Sequence, residues 1–540
     1  MELMGADIVM KCLLEQGVDT VFGYPGASAL YLYDALSRYE GKIRHILTAH
    51  EQGAAHAADG YARSSGKTGV VFATSGPGAT NLVTGIATAY MDSFPLIAIT
   101  CNVSNDLLGK DSFQETDIVS ITMPITKHNF LVRRAEDIAS TLRHAFTIAN
   151  TGRKGPVLVD ITKDATCAAC DYTPVSNPAP TPTVHSGSAD ITTALRYLKK
   201  AKRPLIFAGG GVISAEATGE LLKFQNLLEA PVAVSAMGVG GFPAEHPACL
   251  GMIGMCGLDA ASYAVQNCDL LVAIGTRFSD RVAPPGFAAQ AKILHFDADL
   301  AEIDKNIKTD AYLLGDAKAI LAQLNLRLPA QNHEKWMTQT DRNNFPVADS
   351  IPKQILQTLY HIVGEDAYLT CDVGQHQMWA AQFYPVQKPR HFIHSGGLGT
   401  MGFGLGAAIG TQIAHPDATV VNISGDGCFH MNMNELITAS SYQLPIIDIV
   451  LDNGTLGMVR QWQKNLFRDR FSQTEPHRKT DYEKVASGLG AGAYTVSTPE
   501  ELAHAMRQAL QNRTGPSVIR YLLSADEAVS PMIMNDSEKE

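Results

Sequence analysis

Apolar residues occur along the chain in short unbroken runs, many of them β-branched, separated by longer stretches with a helical spacing. Continuous apolar runs are typical of parallel strands buried on both faces of a sheet. Their alternation with helical stretches predicts an α/β fold made of doubly wound parallel-sheet domains. The runs that predict strands most clearly are 69–74, 96–100, 156–160, 204–208, 270–274, 419–423 and 446–451.

Two polar stretches divide this pattern into three blocks. Residues 171–187 are rich in proline and small polar residues and predict an extended linker. Residues 328–350 are polar and without period, apart from Trp336. A chain of 540 residues also exceeds what one core can hold. We therefore expect three domains, at 1–170, 188–328 and 350–525.

The composition of the chain limits which binding partners and which cellular compartment are expected. With 43 basic and 54 acidic residues, the net charge of −11 argues against nucleic-acid or anionic-membrane partners. No apolar run reaches the roughly 18 residues of a membrane span, and the N-terminus begins with an amphipathic pattern, so neither membrane insertion nor a targeting peptide is predicted. Nine scattered cysteines, with one CxxC pair at Cys167 and Cys170 that favours a structural role, fit a reducing cytosol. A cytoplasmic protein is expected.

The stretch 419–458 combines two predicted strand ends with residues that suit a diphosphate and a metal ion. Gly425-Asp426-Gly427 follows the first strand, and Asn453 and Thr455 follow the second. Glycines allow close approach of a phosphate, and a carboxylate, an amide oxygen and a carbonyl would supply half of a Mg²⁺ shell. Either motif alone is more often a plain turn. The pair at this spacing resembles the signature of thiamine-diphosphate enzymes.

Two further segments fit that chemistry. Residues 397–402 match GxGxxG, but without a clear preceding strand or an acidic partner the dinucleotide interpretation is weak. In a thiamine enzyme the same loop would place Met401 against the cofactor's pyrimidine. Thiamine catalysis also needs a carboxylate that protonates the aminopyrimidine. Glu51 lies at a predicted strand-to-helix junction and is the candidate, although a structural glutamate at a helix start has the same pattern.

Across nearly its whole length the chain resembles the catalytic subunit of acetohydroxyacid synthase, also called acetolactate synthase. The resemblance implies a pyrimidine-binding, a central FAD-type and a diphosphate-binding domain. It also implies active sites between the first domain of one subunit and the third of another, hence a dimer at least. The matching motifs lie at 22–26, 50–53, 74–81, 113–117, 155–160, 250–255, 277–281, 372–376 and 458–463.

The resemblance also implies roles for individual residues. Glu51 would activate the cofactor, Gln114 would hydrogen-bond on the substrate side, Lys163 would lie near the access channel, and Met458 and Trp462 would line the acceptor site. Mg²⁺ would be held by Asp426, Asn453 and Thr455. Thiamine diphosphate is expected at Gly26, Pro77, Asn81, Val373, Gly374, Gln375, His376, Gly399, Met401, Gly425, Asp426, Gly427, Met431, Asn453 and Gly457. FAD is expected at Arg153, Gly209, Gly210, Gly211, Met255, Arg277, Arg281, Asp297 and Asp316.

The reaction implied is decarboxylation of pyruvate and transfer of the two-carbon unit to a second pyruvate or to 2-ketobutyrate, in isoleucine and valine biosynthesis. The products would be 2-acetolactate and 2-aceto-2-hydroxybutyrate. A small regulatory partner subunit is suggested by family analogy. Alternatives are another thiamine decarboxylase or carboligase with a different acceptor, a FAD-free catabolic acetolactate synthase, and an inactive cofactor-binding homologue. The chain departs from the family's usual residues at Ala27, Cys256, Ser279 and Leu300.

Overall fold

Three six-stranded parallel sheets follow one another along the chain in a computed structural model that describes residues 1–175, 187–284 and 286–532. Each sheet is flanked by helices, so the predicted α/β class is confirmed. The predicted strands all form, within two residues of their expected ends. Most of the predicted linker at 171–187 lies outside the described residues. Within those residues, no helix combines the length and the apolar character needed to cross a membrane.

The first sheet is preceded by a short strand that pairs antiparallel with the last strand of its domain. The strands are β1 (Glu2–Met4), β2 (Thr20–Gly23), β3 (Arg44–Leu47), β4 (Gly69–Ala73), β5 (Leu96–Asn102), β6 (His128–Val132), β7 (Val157–Thr162) and β8 (Ala169–Asp171). The helices are α1 (Gly5–Glu15), α2 (Leu30–Arg38), α3 (Glu51–Ser65), α4 (Pro77–Asn81), α5 (Val83–Asp92), α6 (Ile118–Thr122), α7 (Ala135–Asn150) and α8 (Lys163–Cys167). The sheet order is β3-β2-β4-β5-β7-β6.

The central domain extends into the second polar stretch. Its strands are β9 (Pro204–Ala208), β10 (Val232–Val234), β11 (Cys249–Met252), β12 (Leu270–Ile274), β13 (Lys292–Asp297) and β14 (Ala311–Leu314), in the order β11-β10-β9-β12-β13-β14. Trp336 is buried, and its indole N–H donates to Pro204 O at 2.8 Å, so part of 328–350 packs on this domain. The helices are α9 (Ser188–Leu198), α10 (Gly210–Ser214), α11 (Thr218–Leu228), α12 (Asp259–Asn267), α13 (Ala317–Arg327) and α14 (Glu334–Thr340).

The third sheet has the order β16-β15-β17-β18-β20-β19 once its strands are numbered along the chain. They are β15 (Tyr368–Cys371), β16 (Phe392–His394), β17 (Val420–Gly425), β18 (Ile447–Asp452), β19 (Gly492–Val496) and β20 (Ser517–Leu522). The helices are α15 (Ile351–Val363), α16 (Gln375–Phe383), α17 (Phe403–Ala414), α18 (Asp426–Asn432), α19 (Leu436–Ser441), α20 (Gly457–Phe467), α21 (Tyr482–Gly488) and α22 (Pro499–Gln511).

The strand order reverses near one edge of the first and third sheets, at β7 and at β20. In its interior, each sheet has one reversal point, between β2 and β4, between β9 and β12, and between β15 and β17. At such a point, the connections that follow the two neighbouring strands run to opposite sides of the sheet. A crevice therefore opens at the carboxyl ends of the strands, which is where ligands bind in open α/β sheets. The fold thus provides one candidate ligand-binding crevice in each of the three domains.

The first and third domains are joined within the chain by two buried helices, α3 and α17. A Cβ on Gly60 would overlap the carbonyl oxygen of Ala407, and one on Gly410 would overlap that of Ala57. These glycines let the two backbones approach closely. The buried guanidinium of Arg63 pairs with Asp59 at 2.7 Å and with Asp92 at 3.0 Å. The same guanidinium donates to the carbonyl of His394 at 2.8 Å, so charge as well as close packing fixes this contact.

Candidate active site

The crevice of the third domain lies at the reversal between β15 and β17. It gathers most of the residues expected from the sequence to hold a diphosphate and a metal, although these come from separate parts of the chain. Those that line the cavity are Val373, Gly374, Gln375, His376, Met401, Gly425, Asp426, Gly427, Asn453, Thr455, Gly457 and Met458.

Asp426 begins α18, directly after the end of β17, and is buried. Burial raises the pKa of its carboxyl to about 7, and the nearby carboxylate of Asp452 acts in the same direction. The carboxylate of Asp452 forms an ion pair with Arg520, whose Nε lies 2.7 Å from it. A divalent cation would compensate the charge of Asp426 and favour its ionised form.

Asn453 supplies the second candidate metal ligand. Its side-chain oxygen accepts hydrogen bonds from Thr455 N at 3.1 Å and from Thr455 Oγ1 at 3.0 Å. These contacts fix the amide oxygen at the carboxyl end of β18, beside the strand that precedes Asp426. The donor set of carboxylate and amide oxygens is therefore one that fits Mg²⁺.

His376 supports the placement of an anionic group in the same cavity. Burial lowers the pKa of its imidazole to about 3, so the ring is neutral. Its Nε2 is buried and has no hydrogen-bond partner among the described residues. A Cβ on Gly425 would lie only 3.1 Å from the ring, so the glycine keeps this strand end open. A buried polar atom without a partner fits a ligand with oxygen atoms.

Gln375 is held by a chain of amide groups. Asn453 Nδ2 donates to its Oε1 at 3.3 Å, and its Nε2 donates to Gln461 at 2.9 Å and to Glu527 O at 2.9 Å. Gln461 in turn donates to Val529 O at 2.9 Å. The side-chain amide of Gln375 is therefore already hydrogen-bonded to protein groups. Its contact with a diphosphate would come from the backbone N–H at the start of α16.

The crevice of the first domain carries the candidate acid. Glu51 is the first residue of α3, at the strand-to-helix junction expected from the sequence. Asn81 Nδ2 donates to its carboxylate at 2.9 Å. A Cβ on Gly78 would lie 3.2 Å from the other carboxylate oxygen. The carboxylate is thus oriented by a hydrogen bond on one side and by a closely packed backbone on the other.

A wall next to this carboxylate is formed by residues that follow β2 and β4. A Cβ on Gly26 would overlap Thr74, whose hydroxyl accepts a hydrogen bond from Ser28 N at 3.2 Å. Gly76, with a φ of +58°, touches Gln114, and a Cβ there would lie 3.0 Å from the Cα of that residue. The methyl group of Ala27 is exposed and does not disturb these contacts.

Every described residue that lines the third-domain cavity lies between 373 and 523. Glu51, Gln114, Asn81, Gly26 and the other expected first-domain residues are therefore not part of that cavity. Other expected residues also lie outside its lining: Pro77 at the start of α4, Lys163 at the start of α8, Gly399 in the 395–402 loop, Met431 at 54% exposure on α18, and Trp462 on α20 under Arg281.

A third cavity, of about 1080 Å³, lies at the reversal between β9 and β12 and reaches the first domain. Gly209 and Met255 lie outside its lining. Gly209 packs on Gly275, whereas Met255 lines a smaller pocket of about 190 Å³. The expected FAD residues that do line the large cavity are Arg153, Gly210, Gly211, Arg277, Arg281, Asp297 and Asp316.

The charge of this cavity fits a dinucleotide. Burial lowers the pKa of the Arg277 guanidinium, and the like charge of Arg153 contributes. Arg153 is paired with Glu302 at 2.8 Å, and Arg277 would meet an anionic group such as a diphosphate. Of the three departures in this domain, Cys256 is buried in the hydrophobic core, Leu300 is 59% exposed, and only Ser279 lines the cavity. The changes at Cys256 and Leu300 therefore lie outside the lining of the cavity, and Arg153, Arg277 and Arg281 remain part of it.

Sequence reasoning missed two features of these sites. The 395–402 loop does follow a strand, β16, contrary to expectation, because three residues are too few to show a pattern. Glu435 contacts the backbone just before Glu51, although the two residues are far apart in sequence. No local pattern indicates the contact of Glu435 either.

Comparison with known proteins defines the class. The model of the N-terminal TPP binding domain of thiamine pyrophosphate enzymes matches residues 3–121, that of the central domain matches 191–324, and that of the C-terminal TPP binding domain matches 372–521. These matches place thiamine-pyrophosphate-binding domains at the first and third crevices. The fold and the sites are therefore those of a thiamine pyrophosphate enzyme.

Curated relatives narrow the class further. A probable acetolactate synthase large subunit of Methanocaldococcus jannaschii is 44% identical over 98% of this chain and 93% of the relative. An acetolactate synthase large subunit of Haemophilus influenzae and the acetolactate synthase isozyme 3 large subunit of Escherichia coli are each 42% identical, over 98% of this chain and 96% of the relative. The chain belongs to the acetolactate synthase family.

Proposed function

We propose that this chain is a catalytic subunit that decarboxylates pyruvate and joins the two-carbon unit to a second pyruvate or to 2-ketobutyrate. The observation that carries the proposal is the third-domain cavity, where Asp426, Asn453 and the unpaired nitrogen of His376 meet. Full-length similarity to acetolactate synthases supports the joining step. The products would be 2-acetolactate and 2-aceto-2-hydroxybutyrate, precursors in isoleucine and valine biosynthesis.

Each residue of the proposed site would have a separate role. When bound, thiamine diphosphate supplies the carbanion chemistry that removes carbon dioxide from a 2-keto acid. Glu51 would hold a proton at the ring nitrogen of the aminopyrimidine, and Asn81 keeps its carboxylate in place at 2.9 Å. Asp426, Asn453 and Thr455 would bind the diphosphate through Mg²⁺. Met401, at the wall of the cavity, would support the pyrimidine ring.

The acceptor side would be formed by Met458, which lines the cavity, and by Trp462 one helical turn further along α20. The guanidinium of Arg281 lies 5.6 Å from the Trp462 ring centroid and would hold the indole at the cavity entrance. An indole at this position would favour the additional methylene of 2-ketobutyrate. Gln114 and Lys163 of the opposing first domain would complete the substrate side.

The lining of the third-domain cavity supports an active site formed between two chains. No described first-domain residue lines the cavity around Asp426 within one chain, so Glu51 would reach a cofactor anchored there from another copy. A dimer is therefore the smallest active unit that we propose. Several relatives are named large subunits, which supports a small regulatory partner subunit here as well.

We assign the central cavity to FAD. Its volume, its paired glycines Gly210 and Gly211 and its cations support this assignment. Arg277 and Arg281 would lie along the flavin and its diphosphate, with Asp297 and Asp316 near the ribose and the adenine. The cavity argues against the FAD-free alternative, because a chain without flavin has no need to keep about 1080 Å³ open at this point.

Identification of the products from pyruvate tests the proposed function. With thiamine diphosphate and Mg²⁺ present, we expect 2-acetolactate and carbon dioxide, and addition of 2-ketobutyrate should yield 2-aceto-2-hydroxybutyrate. Mass spectrometry of the reaction mixture distinguishes these products. Acetaldehyde as the main product would instead identify a simple decarboxylase, and no turnover in the presence of bound cofactor would identify an inactive homologue.

The flavin assignment predicts that Arg277→Ala weakens FAD binding by about tenfold or more, because a hydrogen bond to a charged group contributes roughly 1.5–3 kcal/mol. The flavin content of the purified proteins, measured by absorbance after denaturation, provides the test. Arg327→Ala, an exposed arginine at the end of α13, is the matched control and should keep its flavin. Equal flavin content in both variants would contradict the assignment.

A further inference from the structure

Glu435 of the third domain has a carboxylate that binds the backbone of the first domain. It ends the turn Met433–Glu435 and is fully buried. Its Oε1 accepts a hydrogen bond from His50 N at 3.0 Å, and its Oε2 accepts one from Ala49 N at 3.2 Å. Thr438 Oγ1 donates to the same Oε2 at 2.7 Å. Both oxygens are therefore held in one orientation, against the residues that immediately precede Glu51.

These contacts fix the start of α3. The first N–H groups of a helix have no partner within the helix, and a carboxylate near them is favoured by the helix dipole. The His50 side chain accepts from Gln52 N at 3.2 Å, while its backbone is held by Glu435. A Cβ on Gly53 would overlap the Glu435 carboxylate, so α3 and Glu435 are in direct contact on both sides of Glu51.

The need to hold the first and third domains together does not explain why a carboxylate is buried at this contact. The packing of α3 on α17 and the 2.8 Å hydrogen bond from Arg63 to His394 O already join them. A buried carboxylate is costly to desolvate, and an apolar side chain of similar volume would stabilise an interface at least as well. What the carboxylate adds is a fixed position for the backbone at residues 49 and 50.

We infer that Glu435 is a positioning residue, which sets the direction in which Glu51 points toward the cofactor of the partner subunit. The inference rests on the proposed function of Glu51. The stretch 426–435 would then serve two active sites at once. Asp426 at its beginning binds the metal of one site, and Glu435 at its end orients the acid of the other.

The test compares Glu435→Gln with a matched interdomain control, Tyr442→Phe. Glutamine keeps the size of the side chain but replaces one acceptor oxygen by an NH₂ group that faces a backbone donor. In the control, Leu47 N loses its 2.8 Å hydrogen bond to the Tyr442 hydroxyl. The control bond joins the same two domains at the end of β3, two residues before Ala49, yet it does not touch the start of α3.

The decisive readout is the rate of hydrogen–deuterium exchange at C2 of bound thiamine diphosphate in the full-length protein, which reports activation of the cofactor by Glu51. For Glu435→Gln we expect exchange and kcat to fall together by about tenfold to a hundredfold, since a small misplacement of a catalytic group costs rates of this order. The KM for pyruvate and the affinity for thiamine diphosphate should change less than threefold (roughly half a kcal/mol). Tyr442→Phe should exchange at the wild-type rate.

Thr438→Val gives a second, milder variant in case Glu435→Gln does not fold. It removes the 2.7 Å hydrogen bond to Glu435 and the 3.1 Å hydrogen bond that Thr438 Oγ1 accepts from Ala49 N, but it keeps the carboxylate. A several-fold fall in exchange is expected. Wild-type exchange in the folded Glu435 variant, or in the Thr438 variant if the former does not fold, would overturn the inference. An equal loss in Tyr442→Phe would also overturn it. The proposed function fails separately, if Glu51→Gln itself leaves the exchange rate unchanged.

Discussion

Replacing Glu51 by glutamine should lower kcat by about a thousandfold, within the range for removal of a positioned proton donor. Glutamine keeps the size of the side chain and can still accept the 2.9 Å hydrogen bond from Asn81, but it has no proton to give to the aminopyrimidine. Binding of thiamine diphosphate should be retained, because the diphosphate is anchored in the third domain. Acetolactate formation and cofactor titration by calorimetry measure the two effects separately.

Glu40→Gln is the matched control for this substitution. Glu40 is an exposed glutamate of the same domain, and its replacement should leave kcat at the wild-type value. The assigned role of Glu51 is refuted if Glu51→Gln keeps most of the wild-type kcat. Loss of cofactor binding in Glu51→Gln would indicate instead that the residue stabilises the bound state and does not act on the proton.

A mixture of two inactive variants should regain activity. In a dimer of one Glu51→Gln chain with one Asp426→Ala chain, the proposed geometry places both substitutions in one site and leaves the other site intact. We therefore expect about half of the wild-type kcat per dimer, since a twofold dimer has two equivalent sites. Each variant alone should have almost no activity, because one lacks the acid and the other a charged metal ligand.

Two different affinity tags on the co-expressed chains allow the mixed dimer to be isolated and assayed. A mixed dimer without activity would contradict the proposed geometry, because sites built within one chain would each carry one of the substitutions. Co-expression of differently tagged copies of the same variant provides the control and should yield dimers without activity. The outcome depends on which chain supplies each residue and is independent of the rate constant.

The sheets were largely predictable from sequence, because a strand buried on both faces must be apolar along its whole length. The runs at 204–208 and 270–274 coincide with β9 and β12. The pattern failed where an element was too short or too polar. The strand β16 has three residues, and α14 lies in a polar stretch but packs on the central domain through the buried indole of Trp336.

The candidate sites were predictable where a residue directly follows a strand. Asp426 and Asn453 occupy such positions, and neighbouring parallel strands must bring their carboxyl ends together. The contact between His50 and Glu435, which are 385 residues apart, depends on how two domains pack and has no local pattern. The same holds for Arg63, whose buried partner Asp92 lies on another helix.

The proposed sharing of each active site between two chains is compatible with one genetic outcome. If wild-type and Glu51→Gln chains are expressed together and pair at random, each wild-type first domain completes one active site with any partner. Total activity then falls in direct proportion to the share of defective chains and no faster. A cell with one functional and one defective copy would keep half of its activity, so the defective allele would behave as recessive wherever half the flux suffices.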